Sequence, residues 1–204
     1  MTSKLTEHFT QADPIMAGLI ARVGPFTLKP RRLPPFQSLI QAVIYQQLNG
    51  KAAETILGRF QALFAGTRFP KPEAILAESP DRLRSAGLSR GKTEYVRAVA
   101  AKAVAGELPT LAQCQRLSDA EIVERLVAIK GVGRWTAEMF LIFNLGRPDV
   151  LPVHALGVRR GFQIAYRKRK LPEPEALARF GARWQPHRTA AAWYLWRAVD
   201  TIQP

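Results

Sequence analysis

Three features of the 204-residue sequence predict an all-α fold. Apolar residues recur at helical spacing through most segments, Gly and Pro punctuate those segments at short intervals, and no stretch alternates apolar and polar residues as a half-buried strand would. Asp13-Pro14 opens a helix, with Pro in the first turn and Ile15, Met16, Leu19, Ile20 and Val23 on its apolar face. Pro30-Arg31-Arg32-Leu33-Pro34-Pro35 reads as a linker. An apolar helix over 36–48 is interrupted at Asn49-Gly50, and another spans 51–64. Pro70, Pro72, Ser79-Pro80 and Gly87 punctuate shorter helices, and Ser89-Arg90-Gly91-Lys92 leads into one ending near Gly106. Ser118 is a predicted N-cap before an acidic first turn, with Ile122, Val123, Leu126 and Ile129 at helical spacing. After Gly131-Val132-Gly133 comes a strongly apolar helix over 136–145. The chain then turns through Leu151-Pro152-Val153 into helices over 155–166, 172–180 and 186–202. There is no repeat of fixed period and no low-complexity tract.

The two-glycine hairpin carries the chemistry. Glycines spaced by one residue permit positive φ and leave backbone N–H groups bare, so a nucleic-acid phosphate can approach them at a helix start, where the dipole also favours an anion. An ordinary αα turn with a glycine C-cap has the same pattern. Composition favours the anion site: 30 Lys plus Arg against 16 Asp plus Glu leave a net charge of +14, the footprint of a polyanion binder. Charge alone also suits a ribosomal or membrane-surface protein. A hydrophobic content of 47% supports a core, and Arg167-Lys168-Arg169-Lys170 is the one continuous basic run, so the chain reads as a folded domain rather than a basic tail. The single Cys114 excludes an internal disulfide and a cysteine-rich metal site, and it suits a reducing cytosol. No apolar run reaches membrane-spanning length, and the first residues lack the apolar core of a signal peptide.

Three separated segments then converge on one family. Val43-Ile44-Tyr45-Gln46-Gln47-Leu48-Asn49-Gly50-Lys51, the hairpin with Arg134-Trp135-Thr136-Ala137, and Asp149-Val150-Leu151-Pro152-Val153-His154-Ala155-Leu156-Gly157-Val158-Arg159 resemble helix-hairpin-helix (HhH-GPD) superfamily DNA glycosylases of the 3-methyladenine DNA glycosylase II type. The resemblance implies two helical lobes flanking a DNA-binding cleft: a central lobe over 36–146 and a second lobe from 1–35 plus 147–204, with no N-terminal β domain. It implies a monomeric base excision repair hydrolase acting on double-stranded DNA with damaged bases, in the bacterial cytoplasm at the nucleoid, without an organic cofactor. The implied substrates are alkylated purines such as 3-methyladenine and 7-methylguanine. A related activity on deaminated purines such as hypoxanthine stays open, because pocket shape sets that choice.

Site roles follow from the same resemblance. Chemistry on a stacked base requires extruding it, filling the gap and holding the backbone. Leu48 would be the wedge, with Gln46 and Gln47 beside it near the opposite strand; packing of Leu48 at a helix terminus is the alternative. Lys130, Gly131, Val132, Gly133, Arg134 and Thr136 would hold a phosphate, with a monovalent cation at the Ile129 and Gly131 carbonyls. Trp135, Met139, Trp196, Tyr45 and Leu156 would line the base pocket, with Phe26 a weaker candidate; aromatic faces attract cationic rings by roughly 0.5–2 kcal/mol. Trp184, Trp193 and Trp196 at helical spacing also read as core. Trp135 stands where bifunctional relatives carry a Schiff-base lysine, which implies a monofunctional enzyme. The family's catalytic carboxylate falls at Ala155, and a methyl group can neither stabilise an oxocarbenium-like sugar nor orient water. The chain is therefore either a variant with alanine in place of the catalytic aspartate or a natural, catalytically silent DNA-damage-binding protein. A one-residue shift would instead make His154 the functional position.

Overall fold

The computed structural model describes residues 2–64 and 66–201, and no strand occurs among them. In chain order the helices are α1 (Thr2–Ala12), α2 (Pro14–Val23), α3 (Pro35–Tyr45), α4 (Gly50–Ala62), α5 (Pro72–Ala77), α6 (Pro80–Ser85), α7 (Arg90–Val104), α8 (Leu111–Arg116) and α9 (Asp119–Val127). They continue with α10 (Arg134–Met139), which runs on as a π-helix (Phe140–Leu145), then α11 (Leu156–Ala165), α12 (Pro174–Gly181), a 3₁₀ turn (Ala182–Trp184) and α13 (Arg188–Thr201). The all-α expectation is met. Local signals account for most boundaries: Asn49, Ser79, Ser89, Thr110 and Ser118 each accept an N–H from the first turn of the helix that follows, and Thr110 and Ser118 complete capping boxes with Gln113 and Glu121.

The chain divides into two compact units, Met1–Pro30 with Leu141–Pro204, and Arg31–Phe140. The sequence reading drew these boundaries at 35/36 and 146/147. In the first unit α13 packs on α11 and α2. Gly161 permits the α11 contact, because a Cβ there would lie 1.8 Å from the Leu195 carbonyl oxygen. The core gathers Phe9 from α1, Met16 and Leu19 from α2, Val158 and Phe162 from α11, and Trp184, Tyr194 and Leu195. In the second unit α7 packs against α3 and α5, and α9 against α10.

Asp13 ties the first unit together. It is 2% exposed, caps α2 through the Met16 N–H at 3.2 Å, and accepts the Tyr166 hydroxyl at 2.6 Å and the Trp184 indole N–H at 2.8 Å. Burial and the Asp13 hydrogen bond push the Tyr166 phenol well above its ordinary value, so it stays a donor. The sequence announced Asp13 as a helix start but not as the joint between α2, α11 and the 3₁₀ turn. Removing the carboxylate strands buried donors, each costing about 1–3 kcal/mol. Asp13→Ala should therefore lower unfolding free energy in urea by about 2–5 kcal/mol, and Tyr166→Phe by about 1 kcal/mol; equal effects of the two would contradict a shared acceptor.

Candidate DNA-binding site

The hairpin between α9 and α10 gives its two glycines different tasks. Gly131 has φ +88°, and a Cβ on it would lie 2.1 Å from Cγ of Tyr95, so the backbone lies flush on that ring. Gly133 has φ −86° and open space around it. The expectation of positive φ therefore holds at one glycine only. Gly133 is the N-cap of α10 and offers no side-chain acceptor, which leaves the first-turn N–H groups without a side-chain cap where a helix favours an anion. The turn itself closes through the Val132 N–H on the Ile129 carbonyl at 3.0 Å.

The charged flanks are already engaged. Lys130 Nζ lies 2.8 Å from Glu94 Oε2, a hydrogen bond that raises the lysine and lowers the carboxyl. Arg134 Nε lies 3.0 Å from Oε1 of the buried Glu138. Both side chains stay largely exposed, but each is paired with a carboxylate that offsets its charge. Thr136 departs from expectation: its side chain is buried at 3% exposure, with Gln46 Nε2 at 3.5 Å from its hydroxyl, so only its backbone faces the role first assigned to it. Of the two carbonyls expected to hold a cation, that of Gly131 accepts Gln46 Nε2 at 3.0 Å and that of Ile129 accepts the turn's own N–H, which leaves each with one further lone pair.

The wedge segment is a turn, not the end of a long helix. α3 stops at Tyr45, three residues before the boundary read from sequence. Gln46 (φ −52°, ψ 132°), Gln47 (φ +56°) and the Leu48 N–H on the Tyr45 carbonyl at 3.3 Å define a type II β-turn. Its i+2 position favours glycine or asparagine, so Gln47 holds a strained conformation there. Leu48 follows, 38% exposed at the end of the turn. Gln47 is exposed, whereas Gln46 points back to the hairpin rather than outward. Lys92 completes the arrangement by donating to the Ile44 carbonyl at 2.7 Å, and its partial burial lowers its basicity. A cavity of about 710 Å³ opens here, lined by Gln46, Gln47, Lys92, Tyr95 and the hairpin.

The remaining candidates separate by unit. In the second, Trp135 is 50% exposed, a large aromatic surface left unburied, while Tyr45 and Met139 are half-buried. In the first, Ala155 is the N-cap of α11, 5% exposed and unable to cap; Leu156 beside it is 63% exposed. Trp196 lies against the same helix start, because a Cβ on Gly157 would be 2.8 Å from its indole Cδ1. Ala155, Leu156 and Trp196 are thus brought to one place. His154 is solvent-exposed. Phe26, partly buried, packs edge-on against Trp193 at 5.3 Å on the margin of the core, and Trp184 is fully buried. Asp149 is held by Arg188 through contacts of 2.8 and 2.9 Å, which commits both carboxylate oxygens to that pair.

The glycine contrast is directly testable. Gly131→Ala meets both an unfavourable φ and the Tyr95 ring and should lose at least about 2 kcal/mol of stability. Gly133→Ala should lose only about 1 kcal/mol, the difference between glycine and alanine at an N-cap. Thermal or urea unfolding of the two variants checks this, and equal losses would overturn the assignment of separate tasks.

Comparison with known proteins places this geometry. The profile described as HhH-GPD superfamily base excision DNA repair protein matches residues 40–186. DNA-3-methyladenine glycosylase 1 of Schizosaccharomyces pombe is 38% identical over 199 residues, covering 96% of this chain and 86% of that protein. Among solved structures, the S. pombe 3-methyladenine DNA glycosylase in complex with abasic DNA superposes with a TM-score of 0.84 over 95% of each chain, at 38% identity. A DNA-3-methyladenine glycosidase from Bacillus halodurans gives the same TM-score and identity over 95% of this chain and 88% of its own. The chain belongs to the HhH-GPD superfamily of base excision DNA repair proteins.

Proposed function

We propose that this protein binds duplex DNA at alkylated purines, flips the damaged base, and carries the frame of a monofunctional N-glycosylase whose catalytic carboxylate is replaced by Ala155. The observation that carries this reading is the start of α11. A buried alanine occupies an N-cap position, where Asp, Asn, Ser and Thr are preferred, directly before the exposed Leu156 and with the partly buried Trp196 against Gly157 in the same first turn. Binding to damaged DNA is further supported by the relatives, which are named 3-methyladenine glycosylases, one of them solved on abasic DNA.

The electrostatics explain why this position decides between binding and chemistry. Loss of a base leaves a sugar with oxocarbenium character, which needs negative charge nearby. A helix N-terminus carries about half a positive charge. An aspartate as N-cap would satisfy an N–H of α11 and present its remaining charge outward; alanine leaves the positive end uncompensated. With Trp135 in place of a nucleophilic lysine, the proposed chemistry is hydrolysis of the glycosidic bond alone, leaving an intact abasic strand.

Ala155→Asp should create release of methylated purines from alkylated duplex, about 10²–10³ above the starting chain. Ala155→Asn caps the helix without the charge and should remain at background. No release by the aspartate variant would remove the enzymatic frame. Release by the unsubstituted chain, abolished by His154→Ala, would move the catalytic position to His154.

Binding should separate by residue as well. Lys130→Ala should weaken intact and lesion duplex alike and flatten the salt dependence by less than a full phosphate contact, because Glu94 already shares that lysine. Leu48→Ala should shrink the preference for abasic over intact duplex while leaving the salt slope unchanged, because an inserted plug offsets unstacking. Isotherms at several salt concentrations measure both. Equal loss on both duplexes for Leu48→Ala would make that leucine structural.

A further inference from the structure

We infer that Gln46 is a positioning residue: its side-chain amide latches the Leu48 turn to the phosphate-binding hairpin, so that insertion into the stack and grip on the backbone occur as one event. The inference rests on the DNA-binding reading above and reassigns Gln46 from a reader of the opposite strand to a coupler of two protein loops.

The contact that carries it joins residues 85 positions apart: Gln46 Nε2 donates to the Gly131 carbonyl at 3.0 Å, and lies 3.5 Å from the hydroxyl of Thr136 in the first turn of α10. Gln46 occupies i+1 of the type II turn and Leu48 occupies i+3, so fixing the Gln46 side chain fixes the direction in which the leucine leaves the turn. Gly131 sits in the hairpin one residue before Val132 and two before the α10 N-cap, so the same bond fixes the loop whose N–H groups face a phosphate. The amide is half-buried and directs one N–H to the Gly131 carbonyl and the other to the Thr136 hydroxyl, so both donors of that nitrogen are turned toward the hairpin rather than toward a base.

Helix α7 braces both ends of the latch. Lys92 donates to the Ile44 carbonyl just before the turn, Tyr95 supports Gly131, and Glu94 holds Lys130. Gln47 stays in a strained left-handed conformation between them. Strain of this kind persists only where its surroundings over-determine the backbone. The turn and the hairpin are thus seated on one helix and bolted directly to each other by one side chain. Without that bond, each would remain tethered to α7 yet free to move relative to the other.

The test uses Gln46→Met, which keeps the length and volume of the side chain but removes the donor, together with Leu48→Ala and the double variant. Amide exchange of the DNA-free protein is read at Val132 and Leu48. Gln46→Met should accelerate exchange at both, whereas Leu48→Ala should leave Val132 unchanged. Binding to abasic and intact duplex is then measured at several salt concentrations. Gln46→Met should reduce the abasic preference about three- to tenfold, the factor a typical net hydrogen bond supplies, and the double variant should lose no more preference than Leu48→Ala alone. Unchanged exchange at Val132, or additive losses in the double variant, would overturn the latch. An equal loss of affinity on both duplexes with preference intact would do so as well, since a purely structural residue behaves that way. If the unsubstituted protein shows no abasic preference, the proposed function fails, and the exchange measurement still decides the latch.

Discussion

The missing side chain at Gly131 is the constraint on which the candidate DNA-binding part of the second unit depends. A backbone with φ +88° lying flush on the Tyr95 ring fixes the hairpin to α7 with no freedom for a Cβ. That seating brings the Gly131 carbonyl within reach of Gln46 and sets Lys130 against Glu94. α7 in turn reaches the end of α3 through Lys92. The elements read as wedge and phosphate grip are therefore ordered by folding, before any ligand arrives. Ordering loops at the moment of binding costs affinity, and preorganisation removes that cost.

The sequence revealed what local chemistry encodes. Ser118 before its acidic first turn, Ser89 and the Asp13-Pro14 start are signals contained within four residues, and the helices they announce begin where the sequence places them. α1 went unread because Leu5 and Phe9 are its only buried apolar residues, too few to make a stripe. The end of α3 was misplaced for a related reason. Type II turns usually announce themselves with glycine at i+2, and here Gln47 takes that place, so the apolar run through Leu48 read as continuing helix.

Long-range pairing accounts for the rest. Nothing near Lys130 in sequence names Glu94, and nothing near Gln46 names Gly131; those partners meet only because α3, α7 and the hairpin converge. Arg134 and Glu138 were the exception, an i,i+4 pair on one helix that the spacing could have shown. The burial of Thr136 was likewise within reach, since it faces the same side as Phe140 along a helix already read as apolar.

These pairings change what the net charge of +14 means. Glu94 and the buried Glu138 offset much of the long-range field of Lys130 and Arg134, and the local geometry of both cations is spoken for. On the proposed reading, attraction to a polyanion then belongs to the whole surface, and registration of a single phosphate to backbone N–H groups that no side chain caps. The start of α11 follows the same logic with the opposite consequence. Its helix end is positive and uncapped, which suits an anion and opposes a cationic sugar. On the proposed reading, one missing carboxylate at Ala155 therefore leaves the elements that hold DNA intact while removing the charge that would favour base release, because holding and cleaving depend on opposite signs of charge.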